Sequence, residues 1–219
     1  MALTDLQRDL IFGSVLGDGN LQTFSGGRSW HYRAIQKAEH KEYVFHKYEI
    51  LEPLCKTAPG YGLTVDDRTG NVSDRWSFNT LTQPCLKFYG DMFYTYDPKT
   101  RRWVKDVPLK LAKHLTPRAL AYFYMDDGAL KWLHNSNAMR ICTESFSEAG
   151  VERIRKVFKK SYNIDTTRTA ERRNDKEKTL IGYRISIPEA SSAAFRELIK
   201  PHLVNCMKYK VSDGNRGHL

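Results

Sequence analysis

No stretch of eighteen consecutive apolar residues occurs in this sequence, and its first residues, MALTDLQRDL, carry no charged-then-apolar leader. Those absences argue against a helical membrane span and a secretory signal. They place the expected site of action inside a cell, in an organelle (chloroplast or mitochondrion) or a prokaryotic cytoplasm, with no membrane partner. Cysteine is sparse: Cys55, Cys85, Cys142 and Cys206 lie far apart and none forms a Cys-x-x-Cys pair. That spacing argues against a zinc site or a disulfide framework and for reduced, packed thiols. Acid is short as well, since 25 Asp and Glu stand against 35 Lys and Arg, a formal net charge of +10. A surplus of this size is what a polyanion binder carries.

What is present supports a folded chain. The 219 residues are 41% hydrophobic and 27% charged, enough for one compact domain or two small ones sharing a core. The basic residues interleave with aromatics and small polar residues in strand-like segments, RSWHYRAIQKA (28–38) and DRWSFNT (74–80), which is not how a uniformly solvated surface reads.

The chain also repeats itself. LIFGSVLGDGNL (10–21) and LAYFYMDDGALKW (120–132) both run apolar for about two turns and end in Asp-Gly, with Asp18 and Asp127 separated by 109 residues (127 − 18). After each copy the same order follows: a hairpin (turning at SGG or HNSN), a helix (EHKEYVFHKYEILEPL or SEAGVERIRKVFKKSY), a second hairpin (DDRTGN or RNDKEK) and another helix (TQPCLKFYGDMF or EASSAAFRELIKPHL). Thr4 with Gln7 makes a capping-box pattern, and Thr116 precedes Pro117 as a cap before a first-turn proline. Gly19 and Gly128 are expected to stop their helices by taking a positive φ.

Aspartates at helix C-termini meet the negative end of the macrodipole and unpaired carbonyls, so something positive should compensate. Packing the two helices side by side, which Gly13, Ser14 and Gly17 encourage, would bring Asp18 and Asp127 together. Like charges that close need a shared proton or a bound cation.

At these residues, IFGSVLGDG (11–19) and LAYFYMDDG (120–128), the sequence resembles the LAGLIDADG homing endonucleases. It is most similar to their single-chain, two-repeat members, through LTPRALAYFYMDDG and the late LIKPHL and MKYK. The resemblance implies an α/β (α+β) fold of two pseudo-symmetric αββαββα repeats, 1–107 and 108–219, with the motif helices at the centre and antiparallel sheets forming a DNA-binding saddle. It implies a monomer that cuts both strands of a long DNA target across the minor groove with Mg2+, Mn2+ being an alternative. Asp18 and Asp127 would hold metal, with Gly17 and Asp126 at the preceding position; Asp126 has no acidic counterpart in the first copy. A lysine late in each repeat would stand near the metal: Lys105 is 87 residues after Asp18 (105 − 18) and Lys210 is 83 after Asp127 (210 − 127), with Lys208 as competitor to Lys210. Gln36 would organise water in the first repeat, and Glu144 or Thr143 stands near that place in the second.

Direct readout would come from the hairpins, whose period-two alternation separates a core face from a DNA face. Arg75, Ser77 and Asn79 alternate with Trp76 and Phe78, and Gly182, Arg184 and Ser186 alternate with Ile181, Tyr183, Ile185 and Ile187. Arg and Asn suit guanine and adenine edges respectively. Arg28, Arg33, Arg68, Lys131, Arg140, Arg168 and Arg172 join this set. Two other functions suit the same fold: an intron RNA maturase, with host intron RNA as partner, and a non-cleaving DNA-binding regulator.

Overall fold

Helix α1 (Asp5–Leu16) starts as its sequence signals. Thr4 Oγ1 accepts from Gln7 N at 3.2 Å and the Gln7 side chain accepts from Thr4 N at 3.0 Å, a complete capping box. The computed structural model describes residues 2–67, 69–132 and 136–212. In chain order there follow β1 (Asn20–Gln22), β2 (His31–Lys37), α2 (Lys41–Leu51), β3 (Gly60–Val65), β4 (Val72–Asn79) and α3 (Pro84–Phe93). A hairpin of β5 (Tyr94–Asp97) and β6 (Arg102–Lys105) and a short α4 (Leu111–His114) lead to α5 (Pro117–Asp127). The second half continues with β7 (Gly128–Leu130), β8 (Met139–Ile141), α6 (Glu148–Tyr162), β9 (Thr167–Arg172), β10 (Leu180–Ile187) and α7 (Glu189–Ile199). A 3-10 segment, Asn205–Lys210, comes last.

The two halves share one topology. The sheets run in the orders β1-β2-β4-β3 and β7-β8-β10-β9, every pairing antiparallel. The helix-hairpin-helix-hairpin-helix order expected from the repeat is therefore present twice. The β5–β6 hairpin and α4 were not expected, and the 107/108 boundary falls between them. Of the expected turns, Arg68 and part of the HNSN loop (His134, Asn135) lie outside the described residues.

Motif helices α1 and α5 form the seam. Leu10 to Leu16 and Ala119 to Met125 are buried without a break, the mark of helices enclosed on all sides. Their backbones nearly touch: a Cβ on Gly13 would lie 2.0 Å from the Ala119 carbonyl oxygen. No other residue fits there. Gly19 and Gly128 differ from expectation, for neither takes a positive φ; Gly128 sits at φ −85° and ψ 152° as the cap of α5. Space rather than dihedral freedom selects them, because a Cβ would meet Ser14 Oγ at 2.5 Å in one case and the Tyr124 ring at 2.2 Å in the other.

Candidate active site

The seam delivers both aspartates to one place. Asp18 follows Gly17, the cap of α1, and is exposed; Asp127 is the last residue of α5 and is mostly buried. Burial, then the nearby charges of Asp18 and Asp126, push the Asp127 carboxyl up to about 8, against the pull of Lys105 and Lys210. Gln36 Nε2 donates to Asp18 Oδ2 at 2.8 Å.

Each helix end carries a lysine on its open carbonyls, which answers the macrodipole difficulty directly. Lys105 Nζ, set by the last pair of the β5–β6 hairpin, donates to the carbonyls of Val15 and Gly17, each at 3.0 Å. Lys210 Nζ donates to the carbonyls of Met125 (2.6 Å) and Asp126 (3.0 Å), and the Tyr124 hydroxyl donates to the Lys210 carbonyl, docking the 3-10 segment. Burial lowers both ammonium pKa values while Asp18, Asp126 and Asp127 oppose the change. Lys208 is exposed and turned elsewhere. The two lysines thus stand at equivalent places, as their offsets in the chain foretold.

Asp126 departs from the expected metal set. Its carboxylate points into the seam, with Oδ1 2.7 Å from Lys47 Nζ and Oδ2 accepting from Ser14 Oγ at 3.0 Å. Burial presses this carboxyl upward and the Lys47 ammonium opposes it. Gly17 has only its carbonyl to offer, and Lys105 already donates to it. The expected second-repeat counterparts of Gln36 are engaged elsewhere: the Thr143 hydroxyl donates to the Tyr183 carbonyl at 2.6 Å, and Glu144 accepts from Arg184 Nε at 2.6 Å. Lys47, Tyr32 and Tyr43 were not singled out in the sequence, and Ser14 only as a small residue of the seam, not as a partner of Asp126 and Lys47. The available signal was Lys47 in the apolar row Tyr43, Val44, Lys47, Leu51, where a solvated lysine has no place.

Among the described residues no three His, Cys, Asp or Glu side chains gather as a ligand cluster. The donors on hand are the carboxylates of Asp18 and Asp127, hard oxygens, one of them raised in pKa by burial and then by the neighbouring acids. That fits a hard divalent cation which takes few protein ligands and fills its shell with water and phosphate oxygens.

The sheets supply the second part of the site. In the first, the pairs Arg33↔Asn79, Ile35↔Ser77 and Lys37↔Arg75 put Arg33, Arg75, Ser77 and Asn79 on one face. Helix α2 covers the other, with Phe45 on Trp76 and Tyr48 on Phe78. In the second sheet Arg140 pairs Ser186, which is buried, and Arg184 lies two residues along. Arg33 and Arg140 occupy equal places, opposite Asn20 and Ala129, and each has a buried Nε with no hydrogen-bond partner. Three expected contacts are placed otherwise. Arg168 pairs with core residue Ile185 and turns to Glu148 and Glu152 of α6, so it belongs to the helix side. Arg184 is held between Glu144 and Glu171. Arg172 donates to the Lys178 carbonyl within its own hairpin at 3.0 Å. Arg28 braces the Ser25 carbonyl, and the Lys131 ammonium lies 4.5 Å from the Trp132 ring centre.

Two motif helices ending in paired aspartates beneath two antiparallel sheets define a class. The profile of the LAGLIDADG DNA endonuclease family matches residues 8–195, and the chain belongs to that family. Within it, the chain is 65% identical to DNA endonuclease I-ChuI of Chlamydomonas applanata, over the full length of both. Its fold matches that of the homing endonuclease I-WcaI bound to its DNA recognition sequence, with a TM-score of 0.82 at 20% identity, covering 96% of this chain and 88% of that one. A more distant match is I-DmoI in complex with DNA and Mn, with a TM-score of 0.50 at 16% identity, covering 89% and 96%.

Proposed function

We propose that this chain is a monomeric, site-specific homing endonuclease that makes a divalent-metal-dependent double-strand break in a long DNA target, with Mg2+ as the working ion and Mn2+ able to replace it. The observation that carries the reading is the meeting of Asp18 and Asp127 at two buried helix ends, each backed by a lysine. When bound there, hard cations supply Lewis acidity: they activate water and neutralise the phosphate and the leaving oxygen.

The chain's own groups do the rest. Asp18 and Asp127 would present carboxylate oxygens to the cation, Asp127 releasing its proton as the cation binds; Gln36 fixes the orientation of Asp18, and Lys105 and Lys210 hold positive charge where charge develops on the phosphodiester. The face bearing Arg33, Arg75, Ser77 and Asn79, with Arg140 in the other sheet, tracks backbone phosphates and base edges. The similarity to I-ChuI supports DNA as substrate, and the metal in the I-DmoI complex supports a divalent ion. We place its action in an organelle or prokaryotic cell; among the described residues no helix is long and apolar enough to cross a membrane.

The test is incubation with a randomised duplex library and Mg2+, followed by sequencing of the ends. Wild type should yield one defined cleavage site, and Asp18→Asn or Asp127→Asn should abolish the break while sparing binding of the recovered duplex. Cleavage by either variant at the wild-type rate would contradict the site.

A further inference from the structure

Two positions break the pseudo-twofold relation of the repeats, and they meet each other. The buried row Tyr43, Val44, Lys47, Leu51 of α2 has the spacing of Gly150, Val151, Ile154, Phe158 in α6, so Lys47 stands where the second repeat has Ile154. On the motif helices Gly17 precedes the first aspartate and Asp126 the second. The side chain absent at one fills the space of the other: a Cβ on Gly17 would lie 2.4 Å from Asp126 Cβ. Lys47 of the first repeat then reaches Asp126 of the second, Nζ to Oδ1 at 2.7 Å, with side-chain exposures of 1% and 0%. Ser14 Oγ bridges them, 3.1 Å from Nζ and 3.0 Å from Oδ2, and lies 2.8 Å from the Tyr32 hydroxyl.

A buried ion pair is weak evidence for stability, because desolvation offsets the attraction, and an apolar pair of similar volume often does as well. The pseudo-twofold counterparts of Lys47 and Asp126 are Ile154 of the second repeat and Gly17 of the first, neither of them charged. Direction is what the charged pair adds, since charge-assisted hydrogen bonds fix angles that apolar contacts leave free. Asp127 is the next residue along. Its helix turn is pinned by the Asp126 carboxylate on the Lys47 side and by the Met125 and Asp126 carbonyls on the Lys210 side.

We infer that Lys47 is a positioning residue: through Asp126 it sets where the last turn of α5 presents Asp127, so the two halves of the active site are aligned by different means. The inference rests on Asp18 and Asp127 being the metal-holding pair. Asp18 has Gln36 for the same purpose and needs no such link. Loss of the link should therefore affect one half-site more than the other.

The test uses the full chain with two double substitutions that leave the net charge unchanged. Lys47→Ile with Asp126→Gly copies the pseudo-twofold counterparts Ile154 and Gly17; Lys47→Met with Asp126→Asn keeps the shapes. Three quantities are measured: thermal melting, binding of Tb3+ as a hard oxygen-seeking probe, and strand-resolved single-turnover cleavage of a library-recovered duplex at saturating protein and Mg2+. A displaced acid should leave melting within a few degrees of wild type, weaken Tb3+ about tenfold, and slow one strand about tenfold or more relative to the other, nicked duplex accumulating. Wild-type Tb3+ affinity with equal strand rates in either folded variant overturns the inference. So does failure of both to fold, which would make the pair a stability element. Should wild type bind Tb3+ yet cut no duplex, the endonuclease reading fails, while the Tb3+ comparison still decides the role of Lys47.

Discussion

Without metal, the fold should lose stability as pH rises, and Asp127 is the group to test. Its carboxyl is pushed up to about 8, from 3.8 for an ordinary aspartate, by burial and by Asp18 and Asp126. Between those two values the folded state keeps a proton that the unfolded chain has released. Stability therefore falls with rising pH in that window and is level outside it. Each pH unit within it costs about 1.4 kcal/mol, so going from about pH 5 to about pH 7 costs about 3 kcal/mol. Asp127→Asn removes this one contribution and leaves the other titrations in place. At roughly 2–4 °C per kcal/mol for a chain of this size, the variant's lead in metal-free Tm should widen by about 6–12 °C over that interval. Differential scanning calorimetry in chelator-treated buffers measures it. Added Mg2+ should narrow the gap, more so at the higher pH, because binding to the ionised carboxylates stabilises the folded wild type alone. A constant Tm difference across the interval, or an equal Mg2+ response in both proteins, would refute the raised Asp127 carboxyl that burial and the neighbouring acids produce.

Four further outcomes are expected. Lys105→Met and Lys210→Met should each lower single-turnover cleavage more than DNA affinity, with opposite strands lagging, whereas exposed Lys208→Met should leave cleavage at saturating protein unchanged. Gly13→Ala, whose new Cβ would sit 2.0 Å from the Ala119 carbonyl, should cost about 1–3 kcal/mol in urea unfolding and slow cleavage by prising the helices apart; a neutral result would place the seam elsewhere. Binding measured between about 50 and 200 mM salt should weaken steeply, log K falling about 0.9 per phosphate contact, and a flat dependence would speak against a DNA saddle. Sedimentation of the saturated DNA complex should find one chain per duplex, and two would mean that the halves do not pair internally.

The repeat was legible because helices and hairpins leave periodic marks. Thr4 with Gln7, Thr116 with Pro117 and the alternation of Arg75, Ser77 and Asn79 are local signals, and the structure keeps each one. The placement of the lysines at the helix ends was legible for a different reason, since the near-equal offsets of 87 and 83 residues carry position without any local pattern. What escaped was set by tertiary contact. Arg168 and Arg184 read as free cations until α6 and β9 bring acids to them. Gly19 and Gly128 suggested a dihedral requirement where the real constraint is the side chain of Ser14 or Tyr124 four or five residues back along the chain. The β5–β6 hairpin hid between a helix and a loop because its strands are only four residues each.

Asymmetry at the seam explains why adjacent acids end so apolar a segment. A perfectly symmetric pair of motif helices would put glycine or aspartate at both pre-terminal positions. Two glycines would leave the helix ends free to slide, and two carboxylates would compete for one space, as the 2.4 Å separation between a Gly17 Cβ and Asp126 Cβ shows. One of each lets the backbones approach while a single buried carboxylate, matched by Lys47, ties one repeat to the other. Asp126 and Asp127 thus divide the work by environment: the first is enclosed with its counter-charge and orders the seam, and the second ends α5 within the field of Asp18, Lys105 and Lys210, where burial and the neighbouring acids leave it in want of a cation. A chain that carries both repeats can afford such a division, because the two halves never have to be identical.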